Sequence, residues 1–447
     1  MTTARSLAEW LDYIEHQHPK SIELGLDRVR EVAQRMGLKR PAKKVITVGG
    51  TNGKGSTVAF IEAIARAGGW RVGAFTSPHL LAYNERVRID GIDVTDATLV
   101  EAFEAVEAAV RGDQRAPEPS SGASDHLLPQ GEGKAVPLTY FEYGTLAALW
   151  LFERSKLDLA ILEVGLGGRL DAVNLIDADV AVITTVDIDH QDWLGSEREA
   201  IGVEKVGIAR AGKPLVLGED DPPSSVLGRA YAIGASAIRA GCDFFFDPVD
   251  GDHWRWREVR YALDLPMPQL AAPAQMRNAA TAIAALRALR KPIRRKAYAQ
   301  GVADARIAGR LQRFERNGVE VMVDVAHNPQ AARELAAWLR QAPISGRTFA
   351  VFAALGDKDI VGVVAALAEG IDRWFIAGLE QAGPRGLDAT AFAQRLAGSA
   401  AGSGEKFTNV DEALMAAQDQ TQSGDRIVVF GSFHTAAAAL RLLQAGR

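Results

Sequence analysis

Residues Lys44–Thr57 read KVITVGGTNGKGST, and this stretch decides the fold. A β-branched run, Val45-Ile46-Thr47-Val48, breaks into Gly49-Gly50-Thr51-Asn52-Gly53-Lys54-Gly55-Ser56. Apolar residues at helical spacing follow at once (Val58, Ile61, Ala65), up to a Gly68-Gly69 stop. The pattern predicts a buried strand, a glycine-rich turn and a helix. Glycines let the backbone approach a ligand closely, and successive N–H groups at a helix N-terminus form an anion site. Lys54 adds a point charge suited to β/γ-phosphates, and Ser56 a hydroxyl suited to Mg²⁺. The strict G-x-x-x-x-G-K-[ST] form is not met, because Gly55 separates Lys54 from Ser56 and Val48 stands at the first glycine position. The stretch is therefore read as a variant nucleotide-phosphate loop.

Outward from the loop, the chain of 447 residues is long enough for two or three domains with full cores. Its 47% hydrophobic and 24% charged content is that of a globular protein. A net charge of −5 argues against a nucleic-acid binder, which would carry a basic face. The single cysteine, Cys242, excludes an internal disulfide and a cysteine zinc cluster, which fits a reducing compartment. The N-terminus lacks the apolar core of a secretory signal, and the most apolar window, Leu138–Phe152, carries Glu142 and is too short to span a bilayer. The expectation is a soluble, cytoplasmic protein.

In chain order, Leu7–Gln17 and Ser21–Met36 have helical spacing, the latter stopping at Gly37. Trp70–Thr76 reads as a strand, and Val94–Val110 as a helix opened by Thr95 or Asp96. The tract 112–137 holds four Pro, four Gly and three Ser and reads as a mobile surface insertion. Thr139–Glu153 returns as a helix. The unbroken apolar runs Leu157–Val164 and Val180–Val186, separated by helices, imply a parallel sheet covered on both faces. Asp243–Asp264 suggests a small antiparallel excursion. From Arg310 the strand–helix alternation restarts, so the expected organisation is α/β. A P-loop-type, mostly parallel domain over 1–305 is followed by a smaller Rossmann-like α/β domain over 306–447, with the active site in the cleft between them.

Polar residues gather where strands end, as open α/β sheets require. Glu163 ends one strand and is placed to meet a metal held against phosphates. Asp187-Ile188-Asp189-His190 ends the next, and Lys205 lies on the helix after it. In the second half, Asp324 and His327 directly follow a strand that Arg310 precedes, and Gly431-Ser432-Phe433-His434 ends the last strand. Taken alone, a strand-end histidine such as His190 is more often merely hydrogen-bonded, His327 and His434 fit helix capping or a structural turn as readily as catalysis, and Lys205 fits a solvated or salt-bridged lysine.

Together these segments are similar to one family. GGTNGKGS (Gly49–Ser56), TSPHL (Thr76–Leu80), TYFE (Thr139–Glu142), LEVGLGGRLDA (Leu162–Ala172), DH.DWLG (Asp189–Gly195), EK.GI (Glu204–Ile208), DVAHNP (Asp324–Pro329) and GSFH (Gly431–His434) resemble the bacterial folylpolyglutamate synthase/dihydrofolate synthase family of Mur-ligase-like amide ligases. The resemblance implies that ATP phosphorylates a carboxylate of a pterin-containing acceptor, after which the amine of L-glutamate displaces phosphate. It places Thr51, Asn52, Gly53, Lys54, Gly55 and Ser56 on ATP phosphates, and Asn278, Arg310 and Asp324 on ATP. It implies Ser77 and Glu163 on one Mg²⁺, His190 on a second, and a carbamate on Lys205. His327 and Ser432 would face glutamate and the intermediate, with Lys54 and Lys205 counted among the catalytic residues. Ile22, Thr139, Tyr140, Phe141, Glu142, Leu170, Asp171 and Ala172 would form the acceptor pocket, with Phe141 stacked on the pterin. The implied partners are dihydropteroate, reduced folates and L-glutamate, taken by a monomer. Three alternatives stay open at this stage: a folylpolyglutamate synthase alone, a Mur-type ligase for another acceptor, and a regulatory P-loop-type ATPase.

Overall fold

The structure, a computed structural model, describes residues 5–20, 22–112, 135–269 and 272–445. Its first sheet contains β1 (Ala42–Gly49), β2 (Val72–Phe75), β3 (Val87–Ile89), β4 (Ile92–Asp93), β5 (Leu157–Glu163), β6 (Val180–Ile183), β7 (Pro214–Leu217) and β8 (Ser236–Arg239). The strand order is β4-β3-β2-β5-β1-β6-β7-β8, parallel from β2 to β8, with β3 and β4 antiparallel at one edge. Apolar runs occupy the centre because both faces are covered: Val45 of β1 packs into one core cluster, while Ile46 and Val48 pack into the other.

A small antiparallel sheet, β9 (Phe244–Pro248), β10 (His253–Glu258) and β11 (Tyr261–Pro266), follows as the sequence suggests. Alternation along β10 buries Trp254 and Trp256, and the Trp256 indole N–H donates to the carbonyl of Ala280 at 3.1 Å, tying this sheet to the Ala274–Ala288 helix. The second large sheet contains β12 (Gln312–Arg316), β13 (Val319–Val323), β14 (Thr348–Phe352), β15 (Arg373–Ala377), β16 (Glu405–Phe407) and β17 (Arg426–Phe430), in the order β12-β13-β17-β14-β15-β16. Only the β12–β13 pair is antiparallel. Two further core clusters flank this sheet, so the molecule is a two-domain α/β protein.

Some sequence-based boundaries change. Helical spacing over Ser21–Met36 predicts a helix through that range, but the helix runs only over Asp27–Arg35. Gly25 is tied by its N–H to the carbonyl of Leu170 at 3.3 Å, which holds the preceding segment along another part of the chain. Strand β12 goes unseen because Phe314 is its only buried residue. Residues 113–134 of the expected insertion lie outside the described residues. At its far end Val136 is buried and donates its N–H to the carbonyl of Val110 at 3.2 Å, so that residue belongs to the core rather than the surface.

Candidate active site

The phosphate loop forms where β1 gives way to the Lys54–Ala67 helix. Thr184 and Thr185, just after β6, hold it: the N–H of Thr51 donates to Thr185 O at 2.8 Å, and that of Asn52 to Thr185 Oγ1 at 3.1 Å. Lys54 curls over the loop, its Nζ donating to the carbonyls of Gly50 (3.0 Å) and Thr51 (3.1 Å). Burial pushes its pKa down, while Glu163 and Asp189 oppose that shift. The buried hydroxyls of Ser56 and Thr57 have no hydrogen-bond partner among the described residues, a defect that a ligand at the helix N-terminus would relieve.

Glycine at position 53 is required by geometry. Its φ is +84°, and a methyl group built there would lie 2.5 Å from Asn278 Oδ1. Left-handed strain costs a non-glycine residue about 1–3 kcal/mol. Gly53→Ala is therefore expected to weaken ADP binding about tenfold or more, read by titration calorimetry. Unchanged affinity would remove the loop from nucleotide binding.

Glu163, the last residue of β5, is buried against this loop; a methyl group at Gly55 would lie 3.7 Å from its Oε1. Burial raises its pKa, opposed by Lys54, and its Oε2 accepts the Ser77 N–H at 3.1 Å. His190 opens a short helical turn from a left-handed conformation, φ +52°. Burial lowers it to about 4, leaving the neutral imidazole that metals bind. Lys205, on the Arg198–Val206 helix, is buried in a small cavity that Lys54, Asp189 and His190 also line. Burial and the charge of Lys54 bring it down to about 7, so a sizeable neutral-amine fraction exists near neutrality.

The proposed acceptor residues collect around the start of the Tyr140–Arg154 helix and the turn after β5. Thr139 and Glu142 form a reciprocal cap, and Glu142 also pairs with Arg28 at 2.9 Å, so their polar atoms build the wall. The Phe141 ring faces Gly165, with Phe75 behind it at 5.8 Å between ring centres. Asp171 accepts backbone N–H groups from Gly165 and Leu166 (2.9 Å each) and from Val173 (3.1 Å). Burial raises it to about 7. Its two oxygens retain one free lone-pair direction beyond these three bonds.

Across the cleft, Asp324 accepts the N–H groups of Leu311 (2.8 Å) and Ala326 (2.7 Å) beside Arg310. His327 Nδ1 lies 2.9 Å from Val325 O, and its Nε2 lies 3.3 Å from Asp189 Oδ2. The hydroxyl of Ser432 accepts the Thr435 N–H at 3.0 Å and so caps the final helix. The two domains touch through loop tips: Asn328 Nδ2 donates to Asn52 Oδ1 (3.1 Å) and Asp189 Oδ2 (3.2 Å), and Lys358 Nζ donates to Asp189 Oδ1 at 2.6 Å. One cavity of about 2270 Å³ runs through all of this. Every residue to which the resemblance gives a site role lines it except Lys205, which sits in the smaller cavity behind the loop.

The Mur ligase, glutamate ligase domain family matches residues 309–433. Over the whole chain, dihydrofolate synthase/folylpolyglutamate synthase of Escherichia coli K12 is 43% identical over 445 residues, covering 99% of this chain and 97% of that protein. The chain belongs to the dihydrofolate synthase/folylpolyglutamate synthase family. Its fold is that of E. coli FolC solved with DHPP and ADP: TM-score 0.89, 42% identity and 99% coverage of both chains. A bifunctional folylpolyglutamate synthase/dihydrofolate synthase solved with Mn, AMPPNP and L-glutamate matches with TM-score 0.86, 43% identity and 98% coverage of both chains.

Family membership gives the cross-cleft contacts their interest, and the sequence reading had missed Asp189, Asn328 and Lys358 as parts of the site. Asp189 lies in the DH.DWLG stretch beside His190, and Asn328 in DVAHNP beside His327, and those stretches are their signal; nothing in the run Gly356-Asp357-Lys358 marks that lysine. Among the described residues no cluster of three or more His, Cys, Asp or Glu side chains could hold a metal unaided. A divalent ion would still fit at Glu163, which lies against the phosphate loop and whose Oε1 takes no hydrogen bond from any described residue. No helix among the described residues is long and apolar enough to cross a membrane.

Proposed function

We propose that this protein is an ATP-dependent ligase that adds L-glutamate to dihydropteroate, giving dihydrofolate, and to reduced folates, giving folylpolyglutamates. One observation carries the reading: a single cavity joins the Lys54 phosphate loop, an aromatic pocket ending at Asp171, and His327 and Arg310 of the second domain. The residues known only from the resemblance take their roles within this proposal, as does a domain division between residues 305 and 306.

In the proposed mechanism the aromatic face of Phe141 and the free lone pair of Asp171 hold the pterin, with Ile22, Tyr140, Leu170 and Ala172 around it. The acceptor carboxylate oxygen attacks the γ-phosphorus of ATP, ADP leaves, and an acyl phosphate forms. The glutamate amine then attacks the acyl carbon, the bond from that carbon to the bridging oxygen breaks as the amide bond forms, and phosphate leaves with the bridging oxygen and the amine's proton. Phosphoryl transfer needs positioning and charge neutralisation. Lys54 and the loop N–H groups supply these at the phosphates, and Arg310 brings a buried cation with no carboxylate within ion-pair distance among the described residues. Ser77 and Glu163 would hold one Mg²⁺ and His190 a second, and these ions would supply Lewis-acid neutralisation of the charge brought together. Asn278 and Asp324 flank the nucleotide. Lys205, with a reactive neutral fraction, would take up CO₂ as a carbamate, turning a cation into an oxygen ligand. His327 and Ser432 face the incoming glutamate. The reading includes a cytoplasmic monomer acting on small molecules, with no nucleic acid or membrane partner; the net charge of −5 supports the former exclusion.

The test is phosphate release from MgATP with L-glutamate, supplied with dihydropteroate, with tetrahydrofolate, or with neither, while mass spectrometry follows glutamyl addition. Turnover and glutamyl gain with both acceptors are expected. Gain with tetrahydrofolate alone would make the Phe141–Asp171 turn structural. Release without acceptor or glutamyl product would favour a plain ATPase.

A further inference from the structure

Arg86 is nine-tenths buried, yet no carboxylate among the described residues lies within ion-pair distance of it. Its Nε donates to His79 Nδ1 at 2.9 Å, and its guanidinium carbon lies 5.2 Å from the Tyr83 ring centre and 5.4 Å from that of Tyr140. The two terminal nitrogens make no hydrogen bond to any described residue, although the side chain lines the main cavity. The nearest acid in sequence, Glu85, is spent on the backbone N–H groups of Leu80, Leu81 and Ala82. A buried guanidinium that keeps its fork unfilled is costly unless an anion completes it. The planar fork matches a carboxylate with two parallel hydrogen bonds.

Tyr140 is the link to a particular carboxylate. It follows Thr139 and precedes Phe141, so Arg86 borders the acceptor side of the cavity, on the first domain. We propose that Arg86 binds the α-carboxylate of the terminal glutamate of a glutamylated acceptor, and that it thereby separates the two reactions of this site. This rests on the ligase reading above. Dihydropteroate has one carboxylate, which must be activated, and so offers Arg86 nothing. A reduced folate has two, and the one not activated needs a partner.

The experiment compares kcat/KM for tetrahydrofolate with kcat/KM for dihydropteroate. In Arg86→Gln the ratio is expected to fall at least tenfold, with the loss in the KM for tetrahydrofolate, and Arg86→Lys should recover part of it. An equal fall for both acceptors would overturn the proposal, as would a rise in the KM for L-glutamate, which would assign the fork to the incoming amino acid. A second arm leaves the protein unchanged: wild-type enzyme is given tetrahydrofolate whose α-carboxylate is converted to the carboxamide. That analogue should bind at least tenfold more weakly than tetrahydrofolate, and equal binding would overturn the proposal even if the variants fail to fold. Failure of the wild type to glutamylate either acceptor would instead refute the ligase reading, so the two failures are distinguishable.

Discussion

Lys54→Met is expected to lower kcat with either acceptor by about 10³-fold, the scale of losing one preorganised cation or donor at a phosphoryl-transfer site. The reason is geometric. Two of the three ammonium N–H groups are already satisfied by Gly50 and Thr51 carbonyls, which fixes the nitrogen over the loop and leaves one donor for phosphate. The charge sits in a buried place where little water screens it, so its effect on a phosphoryl group is larger than at a surface. Methionine keeps most of the apolar stem and removes the charge. Lys54 has no ion-pair partner within 4 Å among the described residues, so the unfolding midpoint should stay near that of the wild type. Steady-state rates alongside a thermal melt check this. A variant retaining more than a tenth of wild-type turnover would show that the loop lysine does not stabilise the transferring phosphate.

The second large effect concerns Asp189. Its side chain and that of Lys358 are only 9% and 8% exposed. Burial alone would raise the Asp189 pKa; the hydrogen bond and charge of His327, with Lys358 and His190, hold it well below the usual carboxylate range. Removing one member of a buried pair leaves the other uncompensated, at a cost of about 3–5 kcal/mol. Asp189→Ala should therefore destabilise the contact between the domains by about 3 kcal/mol, the lower end, because Lys358 also borders the cavity. Calorimetry is expected to show the second domain melting earlier than the first. Adding Lys358→Met should restore part of the loss, since no stranded cation remains. Equal, additive losses in the double variant would mean the two side chains act independently.

How much of this was legible depends on the range of the forces involved. The loop, β1, β5, β6 and the strand ends carrying Glu163, His190 and Asp324 follow from local patterning, because a strand buried on both faces must be continuously apolar. Strands β3, β4, β8 and β16 have two to four residues and no uninterrupted apolar run, so no periodicity can mark them. The 22–26 segment reads as helical from its apolar spacing, but a backbone bond to Leu170 decides otherwise. The pairing of Asp189 with Lys358 spans 169 residues, and the solitude of Arg86 is a property of its surroundings. Neither is written in any stretch of chain.

Asn52 belongs to the phosphate loop, and its amide reaches Asn328 and Gln330 on the far side of the cleft. The second domain therefore grips the same loop that would grip the nucleotide. Two binders of one element are thermodynamically linked, and the linkage is reciprocal. If the nucleotide orders Asn52 in the arrangement that the second domain prefers, closing the domain raises nucleotide affinity by the same factor by which nucleotide favours closure. Product ADP would then leave more slowly while Asn52 stays bound to Asn328 and Gln330 than after those contacts part, which ties product release to the separation of the two domains.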